Sequence, residues 1–174
     1  ILRYRGYPIE QVAERGDFLE VAYLLLYSNL HSQSELDAFK DSIIHHTLLR
    51  EDMKHLLEAF PHNAHPMQIL ASATTAMASY YADALDPRDA AAIDISSRRL
   101  VAKLPTMIAW AYKYGVHQPY VYPRNDLDYT SNFLHMMFSV PSEDYVANPV
   151  IAKALNVLFI LHADHGQNCS ATAV

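Results

Sequence analysis

The sequence predicts an all-α fold, and three observations carry that prediction. Apolar residues recur at three- and four-residue spacing through most of the chain, the period of a helix with one buried face. Capping residues and prolines punctuate these stretches at intervals that suit short and medium helices. Only 4 of the 174 residues are glycine, too few for the tight turns of an all-β fold or a dinucleotide-binding α/β fold.

Residues 8–15 put Ile9, Val12 and Ala13 on one helical face, and Gly16 supplies the exit. Asp17 stands three before Glu20, a capping-box spacing, and opens an apolar helix through Val21, Leu24, Leu25 and Leu26 that Ser28-Asn29 ends. Ser32 and Glu35 repeat the cap ahead of Leu36, Phe39, Ile43 and Ile44. Residues 51–60 carry Met53, Leu56, Leu57 and Phe60 at helical spacing before Pro61 breaks the pattern. Pro66, at a first-turn position, starts a long apolar helix to about residue 85. Asp86-Pro87 opens a helix to 104, which Pro105 interrupts, and a second segment runs to 114, before Gly115. Residues 116–127, with Pro119 and Pro123, form the main loop, and helices at roughly 128–139 and 149–165 close the sequence. There is no internal repeat and no low-complexity tract.

The length is one domain's worth and sufficient to bury a core. A hydrophobic share of 51% against 18% charged residues excludes a disordered tail. A formal charge of -6, with basic residues scattered, gives no footprint for nucleic acid. The longest uncharged stretch, 66–82, is threaded with Gln68, Ser72, Thr74, Thr75 and Ser79 and is too polar to span a membrane. The single cysteine, Cys169, excludes an intrachain disulfide and fits a reducing compartment such as the cytoplasm. It reads as a small packed residue rather than a nucleophile, and the tyrosines of 114–129 read as packing. Residue 1 is Ile rather than Met and Val174 follows no stop signal, so the chain reads as part of a longer protein.

Chemistry concentrates in Leu161-His162-Ala163-Asp164-His165-Gly166-Gln167-Asn168-Cys169-Ser170, directly after the apolar run 155–161. Desolvated polar groups cost free energy unless something pairs with them. Three readings fit the residues. They are a capped, internally hydrogen-bonded helix end; a metal site through His162 and His165 with Asp164 or Cys169; or a site whose imidazole and amide N–H groups hold a small carboxylate. Zinc needs three or four ligands, and no second ligand pair stands at the usual spacing.

This run, with Leu2-Arg3-Tyr4-Arg5-Gly6-Tyr7-Pro8-Ile9 and His65-Pro66-Met67, resembles citrate synthase. Agreement continues in Phe18-Leu19-Glu20-Val21-Ala22-Tyr23-Leu24-Leu25-Leu26-Tyr27, in Lys103-Leu104-Pro105-Thr106, in Tyr122-Pro123-Arg124-Asn125-Asp126-Leu127-Asp128-Tyr129, and in Asn132-Phe133-Leu134 with Met136-Met137-Phe138. The resemblance covers essentially the whole chain. It implies a multi-helical citrate-synthase-like large domain, incomplete on its C-terminal side, with residues 1–174 forming part of that domain and the small domain and catalytic C-terminal portion absent. The implied reaction condenses acetyl-CoA with oxaloacetate, and the implied assembly is a homodimer or hexamer.

The resemblance assigns oxaloacetate binding to His165 and Asn168, with His162 as the first histidine of the motif. It places no catalytic residue within this chain, so the chain alone should not turn over. It calls for no metal and no cofactor beyond acetyl-CoA as substrate. NADH is an inhibitor of many Gram-negative members, and the matching positions are His46, Thr47, Tyr81, Arg99, Lys103 and Asn125. Arg99 and Lys103 stand at i, i+4 on one helix, which suits a diphosphate and equally a solvated basic face. The alternatives to citrate synthase are 2-methylcitrate synthase, using propionyl-CoA, and a non-catalytic helical paralogue that dimerises or regulates. Departures from the family pattern are Gly166 for a glutamate, Asn156 for an aspartate, Ser28-Asn29-Leu30-His31 for a G-E-L-P turn, and Arg50 for a histidine. Gly166, if inside a helix, should loosen the backbone beside His165 at a cost on the order of 1 kcal/mol relative to Ala.

Overall fold

The computed structural model describes residues 2–82, 86–164 and 166. Two short strands, β1 (Arg3–Tyr4) and β2 (Tyr7–Pro8), precede α1 (Ile9–Arg15), α2 (Phe18–Tyr27), α3 (Gln33–Ile44), α4 (Asp52–Glu58) and α5 (Pro66–Met77). A 3-10 turn at Ala78–Tyr80 follows, then α6 (Ala90–Gly115), α7 (Tyr129–Phe138) and α8 (Pro149–Leu161). These form two compact units, Ile1–Lys40 with Asn148–Val174, and Asp41–Ala147. The fold is all-α, as the periodicity predicts.

In the first unit, the chain opens with a hairpin that the sequence reading had no place for. Tyr4 pairs with Tyr7 across a turn in which Arg5 (φ 48) and Gly6 (φ 94) both take positive φ, the I′ geometry that matches strand twist. Pro8 is therefore a cap, and the helix begins at Ile9. Tyr4, Ile9, Val21, Leu24 and Ile160 form the core. The expected capping box is present: Glu20 N donates to Asp17 Oδ1 (2.9 Å) and Asp17 N to Glu20 Oε2 (2.8 Å). Gly16 is required because a Cβ there would lie 2.8 Å from Val12 O.

Asn156, buried on α8, accepts from Phe18 N (2.9 Å) and donates to Gly16 O (3.3 Å). An aspartate could accept the first bond but would set a carboxylate oxygen against the Gly16 carbonyl, so the amide suits this site. Ser28, by contrast, ends α2 at φ 63, where a glycine would carry no Cβ strain.

The second unit packs α4, α5 and α6 around Trp110, fully buried among Met53, Leu57, Ile69, Ala73 and Met107. Burying Leu57 and Met107 contributes roughly 1.5–3 kcal/mol each. Trp110 Nε1 donates to Val121 O (2.9 Å), which ties down the 116–128 loop. Lys54 lies over the rings of Trp110, Tyr120 and Tyr122, with its ammonium 5.1, 5.4 and 4.7 Å from their centroids. Lys113, buried, donates to Gln118 Oε1 (2.8 Å) and Ser139 O (2.6 Å), and burial lowers its pKa.

Four boundaries differ from expectation. The helix from Pro66 ends at Met77 rather than near 85, because Ser79 Oγ takes the Ala76 carbonyl (2.6 Å) and the last turn tightens to 3-10. The next helix starts after Asp89, whose carboxylate accepts from Ala91 N (3.0 Å), while Asp86 caps the preceding turn through Arg88 N (3.0 Å). The last helix stops at Leu161, not 165.

The fourth difference is Pro105, which does not interrupt α6. Proline at position 105 has no N–H for the carbonyl four residues back, that of Val101. The Tyr129 hydroxyl, from the start of α7, donates to Val101 O instead (2.8 Å). Tyr129→Phe should therefore cost about 1–3 kcal/mol in urea unfolding, the price of an unpaired buried carbonyl. Pro105→Ala returns the missing N–H, so the double variant should recover most of that loss. Additive losses would show that the hydroxyl is not standing in for the proline's missing donor.

Candidate functional site

Each unit carries one concentration of polar groups. In the first unit it lies where α8 ends. His162 caps the helix, with its Nδ1 2.8 Å from Leu158 O. A carbonyl only accepts, so Nδ1 carries the hydrogen and Nε2 is an acceptor in the neutral ring. Asp164 Oδ1 accepts from Gly166 N (2.8 Å), and Gly166 has φ 74. Gly166 thus stands outside the helix in a left-handed conformation that glycine favours, and the helix-interior cost expected for it does not apply. The same turn is held from the hairpin. The Tyr4 hydroxyl donates to Ile160 O (2.9 Å) and accepts from Asp164 N (3.3 Å). Of the residues expected to bind oxaloacetate, only His162 is described, and its side chain is exposed. His165, Asn168 and the thiol of Cys169 lie outside the described residues.

In the second unit the polar groups gather where α6 faces the segment after α3. Lys103 Nζ donates to His46 O (2.9 Å) and Leu48 O (2.5 Å), and Thr106 Oγ1 donates to Thr47 O (2.8 Å). Lys103 is only 5% exposed, which overturns the solvated-face alternative for it. Burial, and after it the neighbouring Arg99 guanidinium, pushes its pKa down to about 8. Arg99 lies over the Tyr81 ring at 4.4 Å, and the Lys103 ammonium is 5.6 Å from the same ring centroid. Thr47 and Asn125 line a cavity of about 410 Å³ with His45, Leu48, Pro123, Arg124 and Asp126. Arg124 and Asp126 pair at 2.7 Å, which holds the carboxyl below its ordinary range.

Tyr81, Arg99 and Lys103 thus lie together, His46 joins them through its backbone carbonyl and Thr47 through Thr106, and Asn125 lines the adjoining cavity with Thr47. Sequence reasoning missed Thr106 and Leu48. The first was legible, since Lys103 and Thr106 share a helix face at i, i+3. The second contributes through its backbone carbonyl, which no side-chain pattern reveals. Among the described residues no three His, Cys, Asp or Glu side chains are grouped to hold a metal ion. Thr106→Val keeps the side-chain shape and removes the donor to Thr47 O. It should lower stability by about 1–3 kcal/mol in denaturant unfolding; an unmoved midpoint would show that the carbonyl finds another partner.

A family model described as "Citrate synthase, C-terminal domain" matches residues 1–174. The chain is 52% identical over 174 residues to citrate synthase 1 of Mycobacterium tuberculosis, in both strain CDC 1551 / Oshkosh and strain H37Rv, covering all of this chain and 40% of that protein. Among solved structures, citrate synthase from Pyrobaculum aerophilum superposes with a TM-score of 0.84 at 31% identity, covering 98% of this chain and 43% of that one. Citrate synthase from Thermotoga maritima MSB8 gives 0.76 at 29% identity, covering 98% and 42%. The chain therefore spans about two fifths of the length of the relatives it matches.

Proposed function

Because the chain belongs to the citrate synthase family, we propose that the intact protein condenses acetyl-CoA with oxaloacetate. A carbon–carbon bond forms between the acetyl methyl carbon and the oxaloacetate ketone carbon, and hydrolysis of the resulting thioester releases citrate and CoA. The observation that carries this reading is the 52% identity along the entire chain. In it, His165 and Asn168 donate N–H bonds to oxaloacetate beside His162, while proton transfer is done by groups outside these 174 residues. No helix among the described residues is long and apolar enough to cross a membrane, and the lone cysteine supports a cytoplasmic setting. Exposed apolar side chains such as Val150, Ile151 and Leu158 on α8 support assembly as a homodimer or hexamer.

Release of CoA thiol by the intact protein tests the reaction. Release should require both acetyl-CoA and oxaloacetate. Faster release with propionyl-CoA would turn the reading to 2-methylcitrate synthase, and none with either donor would favour a non-catalytic helical paralogue.

A second site is favoured by Lys103, which donates to the His46 and Leu48 carbonyls beside the Asn125 cavity and shares the Tyr81 ring with Arg99. We assign it to NADH as an inhibitor, with its diphosphate drawn to the two cations. Lys103 has a lowered pKa, so it is charged below about pH 8 and neutral above. Anion binding should accordingly be tighter below that pH and weaken above it, by on the order of tenfold in Kd between pH 7 and 9.5. Fluorescence titration with NADH across this range measures it. A flat profile would remove Lys103 from the site, and no binding at pH 7 would remove the site.

A further inference from the structure

We propose that Tyr4 is a positioning residue for the turn that follows α8, and that its hydroxyl sets how the intact protein binds oxaloacetate. The proposal rests on reading that turn as part of the oxaloacetate site. Tyr4 is 1% exposed and its ring fills the core between Ile9, Val21, Leu24 and Ile160. A phenylalanine would fill that space equally well, so the core does not account for the oxygen.

The oxygen is used on one short stretch of backbone. It lies 2.9 Å from Ile160 O, 3.4 Å from Leu161 O and 3.4 Å from Asp164 O, and it accepts from Asp164 N at 3.3 Å. Ile160 O and Leu161 O are the last carbonyls of α8, which have no partner four residues on within the helix, and Asp164 adds its own carbonyl and the amide one residue ahead of His165. One buried hydroxyl thus fixes both the end of the helix and the start of the segment that leads to His165 and Asn168.

Its own position is set by the hairpin rather than by α8. The Arg5-Gly6 turn fixes the register of Tyr4 with Tyr7, Arg5 Nη2 donates to Leu25 O (2.9 Å), and Ile9 N donates to Leu2 O (3.1 Å). The turn after α8 is therefore referenced to a framework more than 150 residues away in sequence. Removing the hydroxyl frees the turn while leaving the core filled. Small misplacements of a binding group weaken a directional contact far more than they weaken packing.

Tyr4→Phe in the intact protein tests this, by steady-state kinetics with each substrate varied and by thermal unfolding without ligand. The expected result is an oxaloacetate KM raised about five- to tenfold, with the acetyl-CoA KM unchanged within twofold. A lowered melting temperature with both KM values unchanged would make Tyr4 a core residue only and overturn the proposal. An equal rise in both KM values would overturn it too. If Tyr4→Phe does not fold, 3,5-difluorotyrosine at position 4 keeps the oxygen but weakens its acceptance from Asp164 N–H. A two- to threefold rise in oxaloacetate KM supports positioning, and an unchanged value overturns it. Wild-type protein that releases no CoA with oxaloacetate present would instead refute the citrate synthase reading itself, which separates the two failures.

Discussion

A buried carbonyl without a donor costs on the order of 1–3 kcal/mol, and the segment leaving α3 presents three in succession, those of His46, Thr47 and Leu48. One face of α6 supplies all the donors, through Lys103 and Thr106. Between those two residues stands Pro105, which leaves the Val101 carbonyl without its own helical partner and is compensated by Tyr129. The middle of α6 is thus a donor array toward one neighbour and an acceptor for another. The Thr47 wall of the cavity, the course of the chain after α3 and the seat of α7 all depend on this one helical turn.

That dependence shapes the electrostatics. A lysine ammonium has three donors, so it can serve two carbonyls and still carry charge toward a third group, and Lys103 is placed to do so while buried beside Arg99. Burial and like charge disfavour the proton that makes it useful, whereas the two carbonyls favour it. The net effect is a pKa lowered to about 8. An exposed lysine at the same place would hold the loop less firmly and would not respond to pH in that range.

Local signals were legible in the sequence, and long-range ones were not. The Asp17–Glu20 and Ser32–Glu35 caps, the apolar stripe of Leu36, Phe39 and Ile43 in steps of three and four, and Pro66 at a helix start are all local signals, and each appears as expected. Pro105 misled because what rescues it is a hydroxyl 24 positions downstream of the proline. The hairpin at Arg3–Pro8 was hidden because two-residue strands carry no alternation to detect. For the candidate sites, helical spacing legibly put Arg99 beside Lys103, but not that Lys103 would turn inward to backbone carbonyls. Tyr4 was visible only as part of a motif; its use depends on the end of a helix at the other extreme of the chain.

Three of the departures from the family pattern, at Asn156, Gly166 and Ser28, sit where hydrogen-bond polarity or backbone conformation tells for or against the residue present. Asn156 needs both an acceptor for Phe18 N and a donor for Gly16 O, a demand that an amide meets and a carboxylate does not. Gly166 occupies φ 74, outside any helix, where a side chain is strained and glycine is not. Ser28 has no such compensation, since it takes φ 63 with a Cβ in place. Asn156 and Gly166 thus suit the hydrogen-bond polarity and the backbone conformation of the places they occupy, whereas Ser28 carries its Cβ in a left-handed conformation at the end of a different helix.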